Sequence, residues 1–558
     1  MKVSIYWLKE LVDLKVSIEA LVKLIPLRTI GLKDVTNDFI ELDMKAYNRA
    51  DLLSLRGVAR EVTAITNSKI TFADEIIQKF DLPKTKVSVE DSNLCPVYCI
   101  AKIEGLKSAS SNPDWVKKLE SSSMRPVNNI ADVTNLIMLE YGQPMHSFDA
   151  DKVKAETLVV RTAAKGETLR TLDDKIRNLD QSDLLIADPE KPLGIAGVMG
   201  GKDSEASDSP NTILLEAAIF NPVSIKKTTQ RHVLYSEASK RFQHGLTKTN
   251  LLQALSSAIK MYEGLGGKLT ALTLTGNLGD EQKTIQLNQE KVNSLIGIEI
   301  PQEKIEQSLR SLGFSPKRAG ANVIHLEGGL AWHVQVPYWR LDINIEEDLI
   351  EEIARMYGYE KIPAEELPGE LPEKIDQSLP NLIYDLKKSL VDNGLTEVQT
   401  YSFYSSQTIE NCKFRNENLV KVANPISSET EYMRNYLWPN LVEVIAKNLK
   451  QGFKDIAIFE IGKVYNPKNG DLPEEIYHLS IALMNGTENP IQELSVIANE
   501  VKQSLSLNRK IATVATLPRN DTPFHPTRKT DNMAEVHPRI LNKFGIDKRV
   551  AIMEIEIN

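Results

Sequence analysis

Three prolines and four glutamates fall within the short segment of residues 361–374. Proline lacks a backbone N–H donor and holds the preceding residue extended, so neither a long helix nor a central strand can run through this segment. A single hydrophobic core rarely organises more than about 250–300 residues, and the chain has 558. We therefore interpret residues 361–374 as a linker between separately folded parts of a multidomain protein.

Hydrophobic periodicity divides the part before the linker into three. Helical spacing over residues 5–24 and 53–65 predicts a small N-terminal module, residues 1–84. A sheet-rich domain is predicted over residues 85–270, where β-like runs alternate with glycine and proline turns, at 158–161, 184–187 and 213–216. A helix-rich module is predicted over residues 283–360, with helices at 301–312 and 347–357 and a strand at 334–336.

The part after the linker, residues 375–558, is predicted to form a final mixed domain. Its expected elements are helices at 382–393 and 441–449 and strands at 398–404, 456–464 and 479–484. The fold class is therefore α/β, or α+β, with several domains.

Composition narrows the class of protein. Apolar residues make up 42% and charged residues 26%, which is typical of globular proteins. The net charge of −9 means that any nucleic acid must be bound by local basic surface. The cysteines, Cys95, Cys99 and Cys412, suit neither a disulfide framework nor a zinc site. No apolar run approaches the roughly 18 residues that span a membrane, so we predict a cytoplasmic protein without membrane contact.

Polar residues concentrate in two neighbouring stretches, RPVNNIADVTN at 125–135 and EYGQPMHSFD at 140–149. Asparagine and threonine before an apolar segment are often helix caps, and a lone histidine is often structural. A binding site is the alternative. A glycine-rich run, GIAGVMGG at 194–201, fits neither a P-loop nor a dinucleotide fingerprint. It predicts either a tight turn or a place where a ligand approaches the backbone.

Taken together, these stretches resemble the editing-domain signature of phenylalanyl-tRNA synthetase β subunits. Further similarity follows in order, in LLEAAIF at 214–220 and SEASKRF at 236–242. The resemblance covers nearly the whole chain. It implies that one pocket is formed by Arg125, Thr134, Asn135, His146, Ala196, Gly200, Glu216, Ser236 and Ala238. It also implies that Glu216 recognises the hydroxyl of a wrongly attached tyrosine.

A physical reason explains the need for such a pocket. A site shaped for a phenyl ring rejects an isostere with one extra hydroxyl only by about 10²-fold. A second pocket with a polar partner for that hydroxyl can select tyrosine, because phenylalanine leaves the buried partner unpaired. The ester is already activated, so an oriented water, a general base or the ribose hydroxyl of the substrate could suffice for hydrolysis.

An acidic run ends the helix-rich module, with Asp348, Glu351 and Glu352 on one helix face. A solvated acidic face is the usual interpretation. The family resemblance instead implies that Asp342, Asp348, Glu351 and Glu352 hold a Mg²⁺ shared with the α subunit. Hard oxygen ligands suit this ion.

The last domain resembles a class II synthetase core, but it contains no GxGxxER sequence to hold ATP. The resemblance implies an inactive copy that packs on the α subunit. It further implies an α2β2 heterotetramer that charges tRNA(Phe) with phenylalanine using ATP, while β hydrolyses Tyr-tRNA(Phe). Because the sequence ends at Asn558, we expect the compact archaeal type or the eukaryotic cytosolic one.

Two alternatives belong to other functional classes. A nucleic-acid-binding regulator would need a basic recognition helix, yet residues 301–310 carry only Lys304 and Arg310 against two acids. A freestanding aminoacyl-tRNA deacylase would have no reason to retain a degenerate synthetase core.

Overall fold

The computed structural model describes residues 1–557 except 46, 74–75, 77–80, 203–209, 319–330, 365–368, 370–374, 469, 471, 486–488 and 505–532. The chain forms two compact units, Met1–Glu366 and Leu367–Asn558. Most of the expected linker, residues 361–374, lies outside the described residues, since 365–368 and 370–374 are among the exceptions. Within the described part of the chain, no helix is long and apolar enough to cross a membrane.

The first unit begins with a small α/β module. Its elements are β1 (Lys2–Ser4), α1 (Ile5–Leu11), β2 (Val12–Asp13), α2 (Ile18–Arg28), β3 (Leu32–Val35), β4 (Phe39–Leu42), α3 (Leu55–Thr66) and β5 (Lys69–Ile70). A 3-10 turn at Ala50–Leu53 precedes α3. The helical spacing over residues 5–24 is interrupted because Val12 and Asp13 pair with β5, and Ser17 starts a new helix by capping Ala20.

A sheet-rich module follows. Its strands are β6 (Lys86–Val89), β7 (Val97–Glu104), β8 (Met145–Asp149), β9 (Thr157–Thr162), β10 (Thr168–Arg170), β11 (Ile176–Asn178), β12 (Leu184–Ala187), β13 (Pro192–Ile195), β14 (Met199–Gly200), β15 (Thr212–Ile219) and β16 (Lys268–Gly276). Its helices are α4 (Pro113–Ser121), α5 (Asn129–Tyr141), α6 (Pro222–His232), α7 (Glu237–His244) and α8 (Lys248–Gly264). The three β-like runs expected here all lie within strands.

Two sheets organise this module. An antiparallel sheet has the order β16-β7-β15-β8, and a second sheet has the order β14-β13-β12-β9-β6. One face of β7 and β15 packs on the second sheet, through residues such as Tyr98, Leu214 and Leu185. The opposite face packs on α5 and α8, through residues such as Ile137 and Leu255. The antiparallel sheet is therefore buried on both faces, and polar side chains on it need partners within the protein.

The unit closes with the helix-rich module. It contains β17 (Thr284–Asn288), α9 (Gln289–Ile296), α10 (Gln302–Ser311), β18 (Ser315–Arg318), β19 (Ala331–Gln335) and α11 (Glu346–Tyr357). The three strands form a sheet of order β17-β19-β18. Trp332 is fully buried between this sheet and the helices. The helices expected at 301–312 and 347–357 correspond to α10 and α11.

The second unit is built on a sheet of order β20-β23-β24-β26-β25. Its elements are α12 (Ser378–Asp392), β20 (Thr396–Glu397), β21 (Phe403–Tyr404), α13 (Ser406–Cys412), β22 (Tyr432–Met433), α14 (Trp438–Lys450), β23 (Ile456–Asn466), β24 (Glu474–Met484), α15 (Pro490–Ser504), β25 (Met533–Glu535), α16 (Pro538–Lys543) and β26 (Ala551–Ile557). α14 and α16 cover one face, and α12 and α15 cover the other. Of the strands expected near 398–404, β21 lies within this range and β20 ends just before it, and each has only two residues.

Candidate active site

Side chains from both sheets of the sheet-rich module line a cavity of about 310 Å³. This volume lies at the lower end of the range for small-ligand pockets. The structure places eight of the nine expected pocket residues around it: Thr134, Asn135, His146, Ala196, Gly200, Glu216, Ser236 and Ala238. Arg125, the ninth, is exposed in the loop before α5 and is not among the lining residues.

Helix α5 supplies one wall, and its first turn explains the asparagine-rich motif. Asn128 caps the helix by accepting hydrogen bonds from the N–H groups of Ile130 and Ala131. The Asn129 side chain donates to the carbonyl of Lys107. The capping interpretation therefore holds for Asn128, whereas Asn129 ties the start of the helix to the preceding loop. Their effect on the site is indirect, because they fix the helix that carries Thr134 and Asn135 to the cavity.

The hairpin of β13 and β14 forms the wall facing His146. Gly197 lies at its turn with φ +65°, where a Cβ atom would come within 2.9 Å of the Phe220 ring. At Gly200, an added Cβ atom would lie 3.3 Å from Cε1 of His146. The glycine run therefore makes a tight turn at Gly197 and lets the backbone at Gly200 pack closely against His146. The approach of a ligand to this backbone stays a prediction.

His146 on β8 is half-buried, and its buried Nε2 atom has no hydrogen-bond partner among the described residues. Its ring packs edge-on against Phe148, with 4.4 Å between the ring centroids. Burial lowers the pKa of His146 to about 4. The imidazole is therefore neutral at pH 7, and its buried Nε2 is not paired with any described residue.

Glu216 on β15 is the buried carboxyl group of the cavity. It is only 7% exposed, and the Tyr98 hydroxyl donates to its Oε2 at 3.1 Å. Burial raises the pKa of Glu216 to about 7, although the Tyr98 hydrogen bond acts in the opposite direction. A carboxyl group with this pKa is divided between its neutral and ionised forms under physiological conditions.

Helix α7 supplies the remaining wall, and hydrogen bonds of Ser236 and Arg241 hold it in place. The Ser236 hydroxyl donates to the Val198 carbonyl at 2.8 Å and caps the helix by accepting from Ser239 N–H. The buried guanidinium of Arg241 donates to the Leu53 carbonyl at 3.0 Å and to the Glu237 carboxylate at 2.7 Å. The N-terminal module thereby helps to position this wall of the cavity.

Several lining residues were not expected from the sequence. Met138, Met145, Leu172, Glu237 and Phe242 also border the cavity. Most are apolar, and an apolar side chain in a sequence gives no sign that it faces a ligand instead of the core. Tyr98, which is not a lining residue but donates to Glu216, was also not expected, because the apolar run around it predicts only a buried strand.

The four carboxylates of the expected Mg²⁺ site do not converge. Arg340 pairs with Asp342 at 2.7 Å and also with Glu352. Asp348 accepts from the N–H groups of Asn344 and Ile345 at the start of its own helix, and Glu351 is exposed. In the described part of the chain, no group of three or more metal-binding side chains is placed to hold an ion. As arranged here, these residues do not fit Mg²⁺.

Glu352 belongs instead to a buried ionic network. Arg355 pairs with Glu352 at 2.6 Å and with Glu61 on α3, which also pairs with Arg49 at 2.7 Å. Burial alone would raise the pKa of Glu352, but Arg355 and Arg340 outweigh burial and hold this pKa far below its usual value. The solvated-face interpretation is therefore wrong for Glu352, whose network joins the helix-rich module to the N-terminal one.

Comparison with known proteins identifies these modules. Residues 94–267 match the B3/4 domain, residues 285–359 the tRNA synthetase B5 domain, and residues 362–557 the phenylalanyl tRNA synthetase beta chain CLM domain. The cavity lies within the first of these matches. Their succession along one chain defines a subunit of an aminoacyl-tRNA synthetase.

Relatives that match most of the chain narrow this class of protein. The phenylalanine–tRNA ligase beta subunit of Geobacter metallireducens is 32% identical, and the match covers 94% of this chain and 68% of the relative. The beta subunit of Moorella thermoacetica is 34% identical, and the match covers 94% of this chain and 67% of that relative. The beta subunit of a Synechococcus strain is 36% identical, and the match covers 83% of this chain and 57% of that relative. The chain belongs to the family of phenylalanine–tRNA ligase β subunits and spans between about half and two thirds of these bacterial relatives.

Among solved structures, an N-terminal fragment of the phenylalanyl-tRNA synthetase β subunit from Pyrococcus horikoshii is 18% identical. It matches with a TM-score of 0.36, and the match covers 64% of this chain and 99% of the fragment.

Proposed function

We propose that this chain acts with an α subunit to charge tRNA(Phe) with phenylalanine, and that its own cavity hydrolyses tyrosine wrongly attached to that tRNA. One observation carries the second part: of the two carboxyl groups that line this cavity, Glu216 is buried, whereas Glu237 is exposed and pairs with Arg241. A buried carboxyl needs a polar partner. The phenolic hydroxyl of tyrosine supplies this partner, whereas the ring of phenylalanine does not.

We assign two roles to the polar groups of the cavity: recognition of the tyrosine hydroxyl and orientation of the reacting group. Glu216 recognises the phenol. His146 Nε2 has no partner among the described residues, but a pKa of about 4 makes this imidazole a weak base at pH 7. We infer that His146 orients a water molecule or the ribose hydroxyl of the substrate by accepting a hydrogen bond, and does not remove its proton. The backbone of Gly200 packs closely against the imidazole, where an added Cβ atom would lie 3.3 Å from Cε1.

The wider assembly is inferred from family membership. We propose a cytoplasmic α2β2 heterotetramer in which ATP is a substrate of the α subunit. The family also uses Mg²⁺, but Asp342, Asp348, Glu351 and Glu352 are not arranged to hold it, so no step is assigned to an ion bound there. The expected archaeal or eukaryotic cytosolic subtype gains no support from the bacterial relatives and stays a prediction.

The test separates charging from hydrolysis. In the assembly with α, Glu216→Ala should leave phenylalanylation nearly intact and slow hydrolysis of Tyr-tRNA(Phe) by roughly tenfold to a hundredfold. Glu216→Gln serves as the matched variant, because it keeps the size of the side chain and removes its charge. Equal loss of both reactions would mean that Glu216 is structural.

The same assays address a freestanding deacylase. A β subunit of the ligase contributes to phenylalanylation only together with α. A freestanding deacylase would instead hydrolyse Tyr-tRNA(Phe) equally well alone and would add nothing to charging by α. Comparing the isolated chain with the mixture of both subunits therefore distinguishes the two functions.

A further inference from the structure

Tyr98 is a fully buried tyrosine on β7. Its hydroxyl donates to Oε2 of Glu216 at 3.1 Å. We propose that Tyr98 is a positioning residue for substrate selection, which holds one oxygen of Glu216 and leaves the other for the phenolic hydroxyl of a tyrosyl ester. This inference rests on the proposed function of the cavity and explains how Glu216 is held ready for its ligand.

The strand register brings the two side chains together. β7 and β15 are antiparallel neighbours, in which Tyr98 opposes Ala218 and Ile100 opposes Glu216. Tyr98 and Glu216 are therefore diagonal neighbours on one face of the sheet, a separation that a long aromatic side chain can span. The same face contributes Ile100 and Leu214 to the apolar core. Within this core, the hydroxyl of Tyr98 finds its polar partner in Glu216.

The direction of the hydrogen bond follows from the chemistry of the pair. Burial raises the pKa of Tyr98 well above its usual value, so its hydroxyl keeps its proton and donates it to the carboxyl group. A carboxylate has two oxygens that accept hydrogen bonds. With Oε2 engaged by Tyr98, Oε1 is the oxygen available to a ligand.

Holding one oxygen also reduces the freedom of the side chain. A glutamate has three rotatable side-chain bonds, and ordering them on binding costs conformational entropy. The Tyr98 hydrogen bond supplies part of this order before the ligand arrives. Preorganised recognition groups of this kind raise selectivity because the correct ligand does not have to order them.

Other titratable groups surround Glu216. Cys95 precedes β7, His146 lies opposite on β8, and Glu237 lines the same cavity from α7. Burial has the largest effect on the pKa of Glu216 and raises it, whereas the Tyr98 hydrogen bond lowers it. Removing the Tyr98 hydroxyl should therefore raise this pKa further and leave more of Glu216 protonated near pH 7.

The experiment uses the complete ligase and the variant Tyr98→Phe, which removes one oxygen atom and keeps the ring. The matched control is Tyr262→Phe, an equally buried tyrosine whose hydroxyl donates to the Ile130 carbonyl and which is not among the lining residues of the cavity. The readout is the ratio of Tyr-tRNA(Phe) to Phe-tRNA(Phe) hydrolysis. We expect Tyr98→Phe to lower this ratio about tenfold and Tyr262→Phe to leave it unchanged.

The pH profile gives a second readout that a structural role would not change. In the wild type, the hydrolysis ratio should depend on pH around the pKa of Glu216. In Tyr98→Phe this dependence should move to higher pH. Using the ratio cancels the chemical lability of the ester, which increases with pH for both substrates.

Three outcomes would count against the inference. An unchanged ratio in Tyr98→Phe, when Glu216→Gln lowers it, would overturn the role of Tyr98 and leave the proposed function intact. Equal slowing of both substrates by Tyr98→Phe, with a lower melting temperature, would make the residue structural. If Glu216→Gln itself leaves the ratio unchanged, the proposed function of the cavity fails first.

Discussion

Glu216 on β15 and His146 on β8 are direct cross-strand partners, and both line the same cavity. Burial acts on them in opposite directions: it raises the pKa of Glu216 to about 7 and lowers the pKa of His146 to about 4. Near pH 7, His146 is neutral and Glu216 is only partly ionised. These two side chains therefore add little charge to the cavity, which suits a neutral aromatic side chain. Glu237, which also lines the cavity, is exposed and pairs with Arg241.

The raised pKa of Glu216 predicts a specific pH dependence of stability. Between about pH 4.5 and 7, the unfolded chain has lost this proton while the folded protein keeps it, so this group lowers stability as pH rises. Glu216→Gln removes the ionisation. From pH 4.5 to 7.5, the free energy of unfolding of the variant should gain up to about 3 kcal/mol relative to the wild type. Thermal unfolding across this pH range measures the difference.

Glu237→Gln is the control for this prediction. Burial raises the pKa of Glu237, but Arg241 outweighs burial and leaves this pKa below its usual value. The ionised form is therefore favoured in the folded protein, and its contribution is present at neutral pH and lost on acidification. The two variants should consequently change in opposite directions with pH. Parallel behaviour would contradict the assignment of the Glu216 pKa.

The missing side chain at Gly200 predicts a steric effect of substitution on the cavity. In Gly200→Ala, the new methyl group would lie 3.3 Å from both His146 and Leu172. We expect slower Tyr-tRNA(Phe) hydrolysis with unchanged phenylalanylation, because only the cavity is narrowed. Gly264→Ala is the comparison, since nothing lies within 4 Å of its new atom at the end of α8. An equal effect of both substitutions on hydrolysis would rule out a local steric cause.

Arg241 predicts a link between the N-terminal module and the cavity wall. Arg241→Met would remove the donor to the buried Leu53 carbonyl and the partner of Glu237. We expect the free energy of unfolding to fall by roughly 2–3 kcal/mol and Tyr-tRNA(Phe) hydrolysis to slow, because α7 loses its anchor. Lys240→Met, at the neighbouring and less buried position, should change both quantities far less. Equal effects of the two variants would argue against the anchoring role.

The arginine network predicts that Glu352 stabilises the protein without a metal ion. Glu352→Gln removes the charge that Arg340 and Arg355 share, and should destabilise the subunit by roughly 3–5 kcal/mol. Glu351→Gln, at an exposed position, should change stability by less than about 0.5 kcal/mol. Differential scanning calorimetry of the purified subunit provides both values.

A chelator separates this explanation from a Mg²⁺ site. If arginines neutralise Asp342 and Glu352, adding EDTA or Mg²⁺ should leave the melting temperature of the subunit unchanged. A melting temperature that rises with Mg²⁺ in the wild type, but not in Glu352→Gln, would instead support a metal ion bound by these carboxylates.

The sequence by itself determined the class of fold and most of the regular elements. Short apolar runs such as residues 184–187 and 213–216, bounded by turn residues, are consistent with buried strands, and α10 and α11 carry clear helical spacing. These features depend on local periodicity, which can be read along the chain. The pattern over residues 5–24 misled because Val12 and Asp13 pair with a strand more than 50 residues away, and local spacing does not contain that partner.

Tertiary structure decided which polar residues face the cavity and which serve the fold. Asn128 and Thr134 stand in one motif, yet the first is a helix cap and the second lines the cavity. Asp342 and Glu352 belong to the same expected Mg²⁺ site, yet both form ion pairs with Arg340. The partner of Glu216 is Tyr98, 118 residues earlier. A side chain's charge and hydrogen bonds depend on what folding places beside it, and strand register across distant segments sets that neighbour.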